Sequence, residues 1–164
     1  MKTLDEVRAA LRNYGGRRVK IMEVCGTHTA AIFRHGIRDI LSPNIELVSG
    51  PGCPVCVTGE GYIDRLVGYS LADGACVLAF GDMMRVPGSS RSLSQATAAG
   101  GRAEIFYSPF AVLEKAKASP ETLFVVAAVG FETTTPLYAL LLERIIREKI
   151  ANIRFLVSLK TIIP

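Results

Sequence analysis

The chain has 164 residues, of which 49% are hydrophobic and 21% charged, and its formal net charge is +4 at pH 7. This length supports one domain with a full core or one domain and part of another, and the composition is that of an ordinary globular protein. Its Lys and Arg are dispersed and its aromatic content is only 7%, so it lacks the concentrated, aromatic-interleaved charge of a nucleic-acid binder. No window approaches the ~18 uninterrupted apolar residues of a membrane span, and the N-terminus lacks the apolar run of a signal peptide. The expectation is a cytoplasmic protein that binds neither nucleic acid nor membrane. In that compartment thiols stay reduced, so its four cysteines point to metal binding or redox chemistry before structural disulfides.

In chain order, "MKTLDEVRAALRNYGG" reads as an amphipathic helix. A strand over 19–24 follows, then a helix whose stripe is Phe33, Ile37, Ile40 and Leu41, then a strand over 45–48. Ile63, Leu66, Val67 and Leu71 mark the next helix, and strands are predicted over 76–80 and 104–107. The long connection Gly81 to Arg102 is rich in Gly and Ser and holds at most one short helix near 92–99; such a loop is either functional or a solvated excursion. Ser108-Pro109 marks a helix start. "LEKAKASPETL", residues 113–123, is a polar helix end and turn, the best candidate boundary. Beyond it lie a strand over 123–129, a helix opened by Thr135-Pro136 with Leu137, Leu140, Leu141 and Ile145 as its stripe, and a strand over 153–159. Several strands are apolar on both faces, as buried parallel strands are. The alternation predicts an α/β fold with a mostly parallel sheet and flanking helices, Rossmann-like in kind. The predicted organisation is a first α/β domain over 1–118 and the incomplete beginning of a second, similar domain over 119–164.

In open parallel sheets, ligands bind beyond the carboxyl ends of the strands. Strand one runs into "EVCGTHT", strand two into "SGPGCPVC", strand three into "FGDMMR", and the strand after the boundary into "VGFETTTP". Cys25 and His28, three residues apart, can both reach one metal ion, and soft sulfur with imidazole suits iron, zinc or copper. Alternatively His28 activates Cys25 as a nucleophile, or both are structural. Cys53 and Cys56 can chelate a metal, close a small disulfide, or simply lie in a Pro/Gly turn; a helix start near 58–62 would stabilise a thiolate. Together the pairs match a Cys₃His zinc site by ligand count and spacing. Cys76 reads as a buried core thiol and His35 as solvent-facing. In "GFETTTP", Glu132 can bind or relay a proton, and Thr133 and Thr134 can donate to an anionic or cyanide-like ligand; plain helix capping by Thr135 is the alternative. Asp82 and Arg85 are weaker candidates. Neither a GxGxxG fingerprint nor a Walker A motif is present, so nucleotide binding has no support.

The four motifs "MEVCGTHT", "SGPGCPVCVT", "FGDMMRVPGS" and "VGFETTTP", in that order and at these separations, resemble the HypD family of [NiFe]-hydrogenase maturation factors over nearly the whole chain. The resemblance implies an assembly scaffold with redox-active thiols rather than a conventional turnover enzyme. Its partners would be a HypC-like chaperone and a HypE-like cyanide donor, and its cargo iron, as the precursor of the Fe(CN)₂CO group. Cys25 would be the iron-proximal thiolate, with His28 beside it as the second metal ligand. Cys53 and Cys56 would be the redox-active pair. Glu132 would line the site, and Thr27, Thr133 and Thr134 would bind the carried group. The family also carries a C-terminal [4Fe–4S] region whose ligands do not occur in this sequence, so the expectation is an N-terminal portion. The readings from other classes are the structural Cys₃His zinc module and a cysteine-nucleophile enzyme using Cys25 and His28.

Overall fold

The computed structural model describes residues 3–162; residues 1, 2, 163 and 164, at the outer ends of the two predicted domains, lie outside them. The chain divides into two compact units, Met1–Cys53 and Pro54–Pro164, each described in its own terms.

The first unit begins with α1 (Leu4–Arg12), set by a capping box in which Thr3 Oγ1 accepts from Glu6 N and Glu6 Oε2 accepts from Thr3 N. Strands β1 (Val19–Glu23) and β2 (Ile45–Ser49) pair in parallel, Val19 opposite Ile45 through Glu23 opposite Ser49. Between them run α2 (Gly26–Arg34) and a 3₁₀ turn, Ile37–Ile40. The apolar spacing from Phe33 to Leu41 predicts one helix there, but Gly36 adopts φ +57° and breaks it. That left-handed conformation is open to glycine at little cost and ends a helix. Phe33, counted in the buried stripe by its spacing, is 88% exposed. Among the described residues of this unit only Ser42 is fully buried, its hydroxyl donating to Tyr14 O at 2.6 Å.

The second unit is a four-stranded, all-parallel sheet in the order β4-β3-β5-β6, built from β3 (Ala75–Ala79), β4 (Ala103–Ile105), β5 (Leu123–Phe131) and β6 (Ile153–Lys160). Side chains alternate across a strand, and the core divides accordingly. Cys76, Leu78, Phe124, Val126 and Ala128 face α5 (Ala111–Ala118) and α6 (Thr135–Arg147), meeting Val112, Leu113, Tyr138 and Leu141. Val77, Ala79, Val125, Ala127 and Val129 face the other way, onto Ile63 and Leu66 of α3 (Glu60–Leu71) and Leu93 and Ala96 of α4 (Leu93–Ala98). Both faces of β3 and β5 are therefore covered by helices, which explains why these strands lack polar residues. Each fully buried Leu or Ile contributes roughly 1.5–3 kcal/mol relative to exposure.

The division between units falls at Cys53/Pro54, whereas the sequence reading places a boundary at 118/119. Residues 118–122 do not interrupt the sheet: β5 pairs directly with β3, Ala75 opposite Leu123. The Asn152 side-chain amide donates to Ala116 O, Ser119 O and Thr122 O at 3.0–3.1 Å, tying the end of α5 and its turn to the approach to β6. The long connection from Gly81 is likewise ordered. A 3₁₀ turn (Gly81–Arg85) buries Met83, Ser92 caps α4 in a capping box with Gln95, and Ser89 donates to Asp64 through both its backbone N and its hydroxyl. Two helix starts shift slightly. The N-cap of α5 is Phe110, just past Ser108-Pro109, and that of α6 is Thr134 rather than Thr135. On α6 the buried residues are Tyr138, Leu141 and Ile145, while Leu140 of the predicted stripe is 54% exposed.

Candidate functional site

The candidate residues fall into two sets. Cys25, Thr27, His28 and Cys53 belong to the first unit, and Cys56, Glu132, Thr133 and Thr134 to the second.

Cys25 stands two residues past the carboxyl end of β1 and is the N-cap of α2, with extended backbone (φ −140°, ψ 126°). Its carbonyl accepts from Thr29 N at 3.1 Å, the first bond of the helix. The thiol makes no conventional capping hydrogen bond. Its acidity is nonetheless raised: the backbone N–H of Thr27, the Thr27 hydroxyl, the backbone N–H of His28 and the Cys53 side chain together hold its pKa below the usual thiol value of 9.0. The unpaired N–H groups of a helix start favour an anion in this way. Cys25 is half-buried, while Thr27 and His28 are exposed, so imidazole and thiolate are both open to an incoming ion.

Glu23, the last residue of β1, is a participant that the sequence reading missed. Its Oε2 accepts from Cys25 N at 3.2 Å and its Oε1 from the Thr29 hydroxyl at 2.6 Å. The Thr29 hydroxyl first, then Ser49, the Cys25 N–H and the charge of His28 hold its carboxyl below the usual value. A small cavity of about 120 Å³ lies beside this carboxylate, lined also by Thr29, Ile32, Phe33, Arg38 and Ser49. The available signal was an acidic residue two before Cys25 and a hydroxyl four after it, which spacing on a strand–helix turn brings together.

Cys53 closes the glycine-rich segment that follows β2. Gly50 N donates to Glu23 O at 2.8 Å, and a Cβ on Gly50 would stand 2.5 Å from that same oxygen. Only glycine permits so close an approach without displacement. Gly52 adopts φ +110°, again a glycine conformation.

In the second unit, Cys56 is exposed and lies in the turn that precedes α3. Thr58 anchors this turn: its hydroxyl donates to Pro54 O at 2.7 Å and lies 3.4 Å from Ser158 Oγ on β6. Tyr62 OH donates to Leu156 O at 2.7 Å, fixing the start of α3 on the same strand. The helix start comes at Glu60, four residues after Cys56.

The segment "GFETTTP" turns from β5 into α6. Glu132 is exposed, and its Oε1 accepts from Ile162 N at 2.7 Å, linking the ends of β5 and β6. Thr133 is exposed and Thr134 half-buried. Thr134 makes no side-chain capping bond. Its side chain instead packs on Gly130, where an added Cβ would come within 2.5 Å of Thr134 Cβ. Thr134 thus holds its place by packing rather than by hydroxyl capping.

Of the weaker candidates, Asp82 and Arg85 are exposed on the 3₁₀ turn after β3. Cys76 is fully buried, and burial with the charge of Glu104 pushes its thiol up to about 11. His35 is the exposed C-cap of α2. Among the described residues, no three His, Cys, Asp or Glu side chains are gathered as a metal-holding group. Likewise among the described residues, no helix is long and apolar enough to cross a membrane.

Comparison with known proteins aligns the whole sequence with one family. The HypD family model, described as a hydrogenase formation hypA family, matches residues 1–164. A hydrogenase maturation factor HypD from Rhodobacter capsulatus is 46% identical over 134 residues, covering 82% of this chain and 36% of that protein. The HypD of Azotobacter vinelandii is 44% identical, covering 83% of this chain and 36% of its own length. That of Escherichia coli (strain K12) is 42% identical over 158 residues, 96% of this chain and 42% of the relative. The chain therefore spans about two fifths or less of the length of these relatives.

Proposed function

Because the chain belongs to the HypD family of hydrogenase formation proteins, we propose that it acts as the iron-holding portion of a hydrogenase maturation scaffold. Iron, the cargo that becomes the Fe(CN)₂CO group, is held by the Cys25 thiolate with His28 as its neighbour. The observation that carries this reading is the Cys25 turn: a half-buried thiol at a helix start, its anionic form favoured by the N–H groups of Thr27 and His28, beside an exposed imidazole. A soft thiolate and a borderline nitrogen suit a mid-row transition metal and discriminate against magnesium and calcium.

Cys53 and Cys56 serve as the redox pair. Two thiols close to a disulfide by exchange with an external disulfide, which takes up the two electrons and two protons and leaves as two thiols. In the first unit Thr27 binds the carried group beside Cys25; in the second, Glu132, Thr133 and Thr134 are polar groups suited to binding an anionic ligand or relaying a proton. The partners are a small HypC-like chaperone, which completes the iron coordination, and a HypE-like cyanide donor. The work is done in the cytoplasm, where the thiols stay reduced.

The test is anaerobic iron(II) binding by this chain in the presence of a HypC-like protein, with co-purification of the two. Wild type is expected to retain both iron and partner, and Cys25→Ala to lose iron by at least roughly tenfold in affinity, as loss of a ligand or its support does. Undiminished iron in Cys25→Ala would overturn the assignment. Stoichiometric zinc whose removal unfolds the chain would establish the structural metal module in its place.

A further inference from the structure

Glu23 spans three pieces of the first unit. It ends β1, and its carboxylate takes the N–H of Cys25 on one oxygen and the Thr29 hydroxyl on the other, at 3.2 and 2.6 Å. Its own carbonyl takes the N–H of Gly50, at 2.8 Å, where the chain leaves β2 toward Cys53. Thr29 lies four residues beyond Cys25 and donates a second, longer bond to the Cys25 carbonyl, at 3.4 Å. One side chain and one carbonyl thus pin the strand end, the first turn of α2 and the start of the glycine-rich segment.

This arrangement takes the N–H of the N-cap residue itself, the donor that the reciprocal side chain takes in a capping box. An N-cap Ser, Thr, Asp or Asn would fill the helix start with its own oxygen. Cys25 leaves that place to sulfur, and the α2 N-terminus has no acidic residue in its first turn. The carboxylate two residues upstream instead accepts the Cys25 N–H and reaches the helix through the Thr29 hydroxyl. Thr27 and His28 follow directly in the first turn of α2, beside the thiol.

We propose that Glu23 is a positioning residue for Cys25: its two-pronged carboxylate, held by the Cys25 N–H and the Thr29 hydroxyl, sets the strand-to-helix turn that presents the thiol. The inference rests on the reading that Cys25 is the working thiol, and goes beyond it by assigning the group that holds the thiol in place. The carboxylate acts through geometry, as an acceptor for two donors. A glutamine can accept from Cys25 N–H and donate from its amide to the Thr29 oxygen, preserving both contacts without the charge.

The experiment compares wild type with Glu23→Ala, Glu23→Gln and Thr29→Val in the full chain. Alkylation of Cys25 by iodoacetamide is followed at one pH by peptide mass spectrometry, with thermal unfolding measured alongside. Glu23→Ala is expected to slow Cys25 alkylation roughly tenfold, in line with the loss of a supporting contact. Thr29→Val is expected to slow it by a smaller factor, and Glu23→Gln to restore it to within about threefold of wild type. A folded Glu23→Ala that is alkylated at the wild-type rate would overturn the proposal, as would a Glu23→Gln as slow as the alanine variant. Should Glu23→Ala not fold, the decision passes to Glu23→Gln and Thr29→Val: near-wild-type and slowed rates respectively sustain the proposal, and any other pair overturns it. The assay uses no iron, so a wild type that binds none defeats the scaffold reading and leaves this one standing.

Discussion

At the scale of single residues, the cysteines differ by environment rather than by type. Cys25 lies at a helix start with N–H groups and a hydroxyl around it, which lower its pKa; Cys76 lies inside β3 with no exposure, and burial and the charge of Glu104 push its thiol up to about 11. The thiolate is the reactive form, so Cys25 is expected to be alkylated well before Cys76 at neutral pH, with a rate that inflects below the usual 9.0. Peptide mapping across a pH series checks both. Cys76 has a further consequence for stability. Its folded pKa lies above the ordinary value, so its contribution is complete below pH 9.0 and is lost as pH rises toward about 11. Urea unfolding at about pH 8 and about pH 11 is expected to show a smaller alkaline loss for Cys76→Ala than for wild type.

Individual elements are held by contacts that are short in space and mixed in sequence range. The β5–α6 turn depends on the absence of a side chain at Gly130, where a Cβ would meet Thr134 Cβ at 2.5 Å. Gly130→Ala is expected to cost about 1–3 kcal/mol, the range for overpacking a close contact. Asn152 reaches three carbonyls across the end of α5 and the following turn. Its replacement by Ala leaves those acceptors without their common donor and is expected to cost about 1–3 kcal/mol. Denaturant midpoints for the two variants measure both effects. These are also the places where local reading stops. Glycine and proline in "GFETTTP" mark a turn, but that Thr134 packs on Gly130 is a matter of where the turn folds. A helix through Phe33 to Leu41 follows from apolar spacing alone; the left-handed Gly36 defeats it, because one backbone conformation outweighs a side-chain pattern.

Over the whole molecule, burial is uneven. Every fully buried hydrophobic residue among those described lies from Tyr62 onward, in the second unit, where helices cover both faces of the parallel sheet. Amide exchange is accordingly expected to be slowest in β3 and β5 and markedly faster in β1 and β2, because protection follows buried, cooperative packing. Leu141→Ala, at a side chain with no exposure, is expected to cost about 2–5 kcal/mol by the loss of buried contacts and the cavity left behind. Equal protection of all strands, measured by hydrogen exchange with mass spectrometry, would contradict this picture.

The sequence by itself determined the six strands, the α/β class, the buried character of Cys76 and the placing of the Cys25 motif just past a strand's carboxyl end. Each follows from patterns a few residues long: β-branched runs, apolar periodicity, glycine after a strand. The tertiary structure decided the order β4-β3-β5-β6, the pairing of β5 with β3 across the predicted boundary, and the two cores on opposite faces. It also decided that Glu23 serves Cys25 and Thr29 together. Strand partners are chosen by contacts between residues distant in sequence, and a carboxylate's partners by where a strand hands over to a helix; neither is written in local spacing.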